Sequence, residues 1–304
     1  MRITVNAFNL ESSDGIHTLK GKIYIPDGEI KGLFQIVHGM TEHIDRYHEF
    51  MSLIAKSGYI CFGFNNLGHK GTAEDNELGF IAEKDGYKYL IDDVVKAYSF
   101  IKEKYNYDNY VLMGHSMGSF IVRCVAAEYP ELIDKLIICG TGSNCLSALF
   151  GVGIALAIEK IKGNRYCSKI LDKIIFGAYN LGFEPLSKYE WLTKDRSIIE
   201  KYQKDKYCTF RFSVSAIKDL LILSFLANRN KWYKSIPKQL PILLISGDRD
   251  PVGANGRGVR SIYKKLRMEE LNDVNMFLYK DCRHEILNDT CKNEVVSDIM
   301  EFIN

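Results

Sequence analysis

Few features of this 304-residue chain mark a special architecture, and each absence removes a class of function. The formal net charge is only +2, with lysine and arginine spread along the whole length. Nucleic-acid binding needs basic residues gathered on one face or stripe, so DNA and RNA are excluded as partners. The eight cysteines (Cys61, Cys124, Cys139, Cys145, Cys167, Cys208, Cys282 and Cys291) form no CxxC pair and no zinc-like spacing. They read as buried free thiols of a reducing cytosol, with Cys139 closing an apolar run as a small hydrophobe. The near-apolar stretch 145–158 falls short of the roughly 20 residues that a spanning helix needs. Residues 1–14 lack an apolar signal-peptide core and alternate like a strand at Ile3, Val5 and Ala7. A soluble, cytoplasmic protein without stable membrane insertion is expected, its oligomeric state left open.

What is present is a rhythm. Short β-branched or aromatic runs at 22–25, 33–37, 60–64, 110–113 and 136–139 alternate with helical patterns near 46–57, 88–105 and 117–128. Leu90, Val94, Val95, Tyr98 and Ile101, for instance, recur at helical spacing. The alternation predicts an α/β fold, a mostly parallel central sheet with helices on both faces. It breaks after Gly140, where 141–236 offers helix-like pieces rich in Ile, Leu, Phe and Tyr. It resumes with a strand at 242–246, a helix at 258–268, a strand at 274–279 and a helix at 290–302. The economical division is a core of residues 1–140 and 237–304 that carries a helical cap, or lid, inserted over 141–236.

Gly114-His115-Ser116-Met117-Gly118 fits G-x-S-x-G between a strand and a helix. Its two glycines let the chain turn sharply, so that the serine oxygen projects at the sheet's C-terminal edge, near the positive end of the helix dipole. A serine hydroxyl needs an adjacent base, and His284 is the only histidine after Ser116. It lies in a loop beyond the strand 274–279. The imidazole in turn needs a carboxylate. The loop after strand 242–246 offers Asp248 and Asp250; Pro251 pins the backbone beside Asp250, which is the choice, while Asp248 reads as a turn residue. Backbone donors must face the tetrahedral oxyanion: a turn through Gly39 can bring one N–H toward Ser116, and the N–H of Met117 is the second. His38, His43 and His48 share no helical face and have no acidic or thiol partner at ligand spacing. No metal and no cofactor are expected.

The stretch His38-Gly39-Met40-Thr41-Glu42-His43, followed by Arg46-Tyr47, resembles the HGxxEH…RY pattern of monoacylglycerol lipase and lysophospholipase-like serine hydrolases, members of the α/β-hydrolase superfamily grouped with serine aminopeptidases. Gly114–Gly118, the run ending in Asp250, and Arg283-His284-Glu285 carry the same resemblance, which covers about residues 30–300 outside the insertion. It implies an α/β-hydrolase fold with a cap over the site, Ser116 as nucleophile, Asp250 as acid, His284 as base, and the amides of Met40 and Met117 as the oxyanion hole. One departure is Asn65-Asn66-Leu67-Gly68-His69-Lys70, where many relatives read aspartate and then x-x-GHG. It bears on loop structure and subfamily, not on the reaction.

The insertion is apolar at Leu149, Phe150, Val152, Leu156 and Ile161, and aromatic at Tyr207, Phe210 and Phe212. Such groups either form the cap's own small core or line it for an acyl chain, each buried methylene contributing about 0.8 kcal/mol. The function expected is a serine carboxylic-ester hydrolase acting on monoacylglycerol, lysophospholipid or simpler fatty-acyl esters. One alternative is an aminopeptidase or amidase on the same triad, with Glu159, Glu184, Glu190 or Glu200 holding a substrate ammonium. Another is a non-catalytic ligand-binding member of the fold. Epoxide and haloalkane hydrolysis are disfavoured, because on this fold they place an aspartate where Ser116 stands.

Overall fold

A strand covered on both faces has to be apolar along its whole length, and four strands of this protein are buried at every residue. The structure, a computed structural model, describes residues 2–143 and 145–304. Met1, Asn144 and the side chain of Cys145, with the thiol expected there, lie outside the described residues. The strands are β1 Ile3–Glu11, β2 Thr18–Pro26, β3 Gly32–Val37, β4 Tyr59–Phe64, β5 Tyr110–His115, β6 Lys135–Cys139, β7 Ile242–Gly247 and β8 Val274–Tyr279. They form one sheet in the order β1-β2-β4-β3-β5-β6-β7-β8. β2 runs antiparallel to both β1 and β4, and every other pairing is parallel.

The helices are α1 His48–Lys56, α2 Gly86–Tyr105, α3 Met117–Glu128, α4 Cys145–Lys162, α5 Lys169–Phe176, α6 Arg196–Lys204, α7 Val214–Asn228, α8 Asn230–Ser235, α9 Arg257–Met268 and α10 Lys292–Ile303. Strand alternation sorts them onto the two faces. Leu33 and Val37 of β3 pack with residues of α2, α3 and α9, whereas Phe34 and Ile36 pack with α1 and α10. The helix expected at 46–57 is in fact a 3-10 turn, Ile44–Tyr47, followed by α1.

Between β6 and β7 the described residues form α4 to α8 and no strand. α7 and α8 pack on α3 in one apolar cluster, and the buried side chain of Arg123 bonds across it. Its guanidinium donates to the carbonyl of Ala227 and to Asn228 Oδ1 (3.0 Å), and lies 4.3 Å from the ring of Trp232. Trp232 Nε1 donates back to the Arg123 carbonyl at 2.5 Å. α4 meets α7 through small residues, Ala148, Gly151 and Ala155. Of its large residues, Val152, Ile154 and Ile158 pack partly against the main core, whereas Leu149, Phe150, Leu156 and Ile161 are exposed and neither line an enclosed space nor form a small core as expected. Of the aromatics, Phe212 is fully buried and Phe210 packs beside it. No helix among the described residues is long and apolar enough to cross a membrane.

The cysteines depart from expectation at three places. Cys61, Cys124, Cys139 and Cys208 are buried free thiols, but Cys167 is exposed. Cys282 and Cys291 are joined in a disulfide that closes the loop carrying His284. The turn after β8 brings their Cα atoms to 6.6 Å, within bridging range, and a spacing of nine residues carries no sequence signature.

Arg123→Ala leaves buried carbonyls of α7 without a donor. It is expected to lower the unfolding free energy by about 3 kcal/mol, read as a lower urea midpoint at unchanged slope.

Candidate active site

Four loops meet at the C-terminal ends of β5 to β8. The sharp turn after β5 is carried by Ser116 itself, at φ 54° and ψ −118°. A non-glycine residue held there is strained and persists only where its surroundings over-determine it. The flanking glycines do this through space, not torsion. A Cβ on Gly114 would lie 2.2 Å from the Gly118 carbonyl oxygen, and one on Gly118 would lie 2.0 Å from that of Val37. Strand and helix can therefore close on each other and on β3 with the Ser116 side chain left half-exposed between buried neighbours.

His284 and Asp250 arrive from the loops after β8 and β7. His284 Nδ1 lies 2.9 Å from Asp250 Oδ1, and Asp250 Oδ2 accepts from Ser246 Oγ at 2.9 Å. Burial of Asp250 opposes its ionisation, but the His284 charge and hydrogen bonds from His284, Ser246 and the Val252 amide hold the carboxyl below its ordinary value. Asp248 accepts from the Asp281 amide at 2.7 Å, a contact within the loops. His284 Nε2 is buried with no hydrogen-bond partner. Its ring rests on the backbone just past β6, where a Cβ on Gly140 would meet Cε1 at 3.2 Å. The preceding residue, Cys139, accepts the Ser116 amide at 3.0 Å. No hydrogen bond joins Ser116 Oγ to Nε2 in this conformation, as is common before substrate binds. Trp191, from the insertion, covers the imidazole with ring centroids 5.0 Å apart.

The turn after β3 faces the elbow directly: a Cβ on Gly39 would lie 2.8 Å from Ser116 Cβ. Two histidines shape this turn as neutral acceptors. Burial lowers His38 to about 4 and His69 to about 3, so neither is charged near neutrality. His38 Nε2 accepts the Asn66 amide at 2.9 Å, and His69 Nε2 accepts the Thr41 amide at 3.2 Å. The amides of Gly39 and Thr41 are thus occupied, the former by Glu42 at 2.5 Å. That of Met40, between them, has no acceptor among the described residues. The Met117 amide opens α3, where first-turn donors lack an intrahelical acceptor.

One carboxylate ties these loops together. Glu42, buried, also accepts from Tyr47 Oη (3.0 Å) and Arg46 Nη1 (3.2 Å), and meets His115 Nδ1 at 2.9 Å. Arg46 continues to Glu285, beside His284, at 2.7 and 2.6 Å. Against the burial that disfavours its charge, His115 and Arg46 hold the Glu42 carboxyl well below its ordinary value. For His115, Glu42 outweighs burial in the other direction and raises its pKa. Sequence spacing alone did not expose this network. Its members were visible only within the motifs that carry the family resemblance, Glu42, Arg46 and Tyr47 in HGxxEH…RY, His115 beside Ser116 and Glu285 beside His284. Nor did spacing offer His43 an acidic or thiol partner, yet the fold brings Asp205 and Cys208 beside it.

A family model described as serine aminopeptidase, S33, matches residues 28–291. The monoglyceride lipase homolog of monkeypox virus is 26% identical over 297 residues, 97% of this chain and 95% of its own. The monoacylglycerol lipase of Mycolicibacterium smegmatis is 22% identical over 288 residues, 92% of this chain and 91% of its own. Among solved structures, a carboxyl esterase from Bacillus coagulans superposes with a TM-score of 0.93 at 26% identity, covering 99% of this chain and 98% of the other.

Because the folded Glu42 carboxyl sits below its ordinary value of 4.5, its stabilisation is complete above that value and fades as pH falls. Glu42→Gln is expected to cost about 3 kcal/mol at neutral pH, by leaving buried His115 without its carboxylate and Arg46 with Glu285 alone. Thermal melts between pH 7 and 3 should show the gap from the parent protein narrowing toward the acid end.

Proposed function

The chain belongs to the serine aminopeptidase S33 family and has the α/β-hydrolase fold, and on that premise we propose that it is a serine carboxylic-ester hydrolase working through an acyl-enzyme. Ser116 is the nucleophile, His284 the base and Asp250 its orienting acid, with the amides of Met40 and Met117 as the oxyanion hole. The observation that carries this reading is the state of His284. One nitrogen is committed to a buried carboxylate, and the other is buried and unpartnered on a ring packed against Gly140, the residue after the carbonyl that holds the Ser116 amide.

With Nδ1–H donating to Asp250, Nε2 carries the lone pair of the neutral ring. It takes the Ser116 proton as Oγ attacks the ester carbonyl, and Asp250 stabilises the imidazolium that forms. The carbonyl oxygen, now negative, accepts from the two amides. His284 returns the proton to the departing alcohol, and water repeats the cycle on the acyl-enzyme. No cofactor enters this route.

Residues 141–236 act as the cap over a core of 1–140 and 237–304, with Trp191 of the cap packed on the catalytic imidazole. The substrate class is a fatty-acyl ester, monoacylglycerol or lysophospholipid, a reading supported by the names of the relatives. Ester is favoured over a peptide amine because the cap carboxylates are otherwise engaged or exposed. Glu159 pairs with Lys218 at 2.5 Å, Glu190 pairs with Arg196 and Arg283, and Glu184 and Glu200 lie in solvent.

A fluorophosphonate probe is expected to form one adduct, located on Ser116 by mass spectrometry, and Ser116→Ala to lower kcat on p-nitrophenyl esters by several orders of magnitude, roughly 10⁶. Labelling elsewhere, or faster turnover of aminoacyl anilides than of esters, would reject the assignment.

A further inference from the structure

His43 follows Glu42 in the turn after β3 and is almost fully buried against the insertion. Its Nε2 lies 2.9 Å from Asp205 Oδ2, and with Cys208 Sγ these ligand atoms all fall within 4.8 Å of one another. Asp205 and Cys208 belong to a single turn that ends α6, fixed by the Cys208 amide donating to the Asp205 carbonyl at 3.0 Å. Asp205 Oδ1 is occupied by the Tyr207 amide at 2.8 Å, which leaves Oδ2 to face His43.

Two further observations point to a ligand. His43 Nδ1 is buried and has no hydrogen-bond partner, and Asp45 Oδ2 lies 3.7 Å from it. A metal-ligating histidine typically turns its second nitrogen toward a carboxylate in this way. A cleft of about 540 Å³, lined in part by Asp45, Tyr202, Asp205 and Cys208, opens the Asp205–Cys208 turn to solvent.

We propose that His43, Asp205 and Cys208 form a binding site for a zinc-class divalent cation, bridging the turn after β3 to the insertion. One imidazole, one carboxylate and one thiolate with an open fourth position suit such an ion. On binding, the ion replaces the direct His43–Asp205 hydrogen bond. The Cys208 S–H bond breaks, sulfur keeps the electron pair and bonds the metal, and the proton leaves to solvent; no electron is transferred. The His43 N–H then lies on Nδ1, toward Asp45.

Full-length protein without an affinity tag, stripped by chelator, is titrated with Co²⁺ and then with Zn²⁺. One Co²⁺ per chain is expected, with a thiolate-to-cobalt charge-transfer band in the near ultraviolet that stoichiometric Zn²⁺ removes. Cys208→Ser should abolish the band and Asp205→Asn should weaken binding by more than about tenfold. Cys167→Ser, which alters the exposed thiol, should leave both unchanged. Absence of the band in the parent protein overturns the site whether or not any variant folds, and so does a band that survives Cys208→Ser.

Discussion

A carboxylate removed from water has to find its charge balance and its hydrogen bonds within the protein, and Glu42 finds them in four directions. The Gly39 amide holds the turn facing the elbow, and His115 is the residue just before Ser116. Arg46 leads to Glu285, the residue just after His284. Three loops from separate strand ends are therefore positioned by one buried charge. Such a charge is expensive to desolvate, and it is tolerated only if every partner is in place. The geometry around Ser116 and His284 inherits that all-or-none character. Loosening any one loop would strand a charge as well as break a contact.

The same buried group marks where the sequence could and could not be read. The elbow was legible because it is local: Gly114, Ser116 and Gly118 lie within five residues, flanked by a strand and a helix that each declare themselves. Even so, the glycines suggested a torsional role, whereas the positive φ falls on Ser116 and the glycines serve as missing Cβ atoms. The parallel strands were legible because burial on both faces makes them continuously apolar. Arg46 and Glu285 are 239 positions apart, however, and no periodicity links them. The same distance problem hid Asp205 from His43, and a nine-residue spacing gave Cys282 and Cys291 no recognisable pattern.

The insertion was misread for a different reason. Its apolar content suggested an inner lining, but composition does not say which side of a helix is packed. In α4 the packing is made by Ala148, Gly151 and Ala155, whose small size lets the helix approach α7 closely. Leu149, Phe150, Leu156 and Ile161 are then left on the outer side. By contrast, α7 and α8 are anchored to α3 by Arg123 and Trp232, at the end of the insertion that returns to β7.

The chain has only two tryptophans, and their surroundings differ sharply. Trp232 is enclosed against the Arg123 guanidinium, far in sequence and setting from the elbow. Trp191 lies on the imidazole of His284 and also packs with Tyr179. An indole in that position gives the protein an intrinsic fluorophore: its emission should respond to protonation of the ring beneath it and to any molecule that displaces it, while Trp232 contributes a steady background. Movement of the segment above His284 can thus be followed by light, in unmodified protein and in real time.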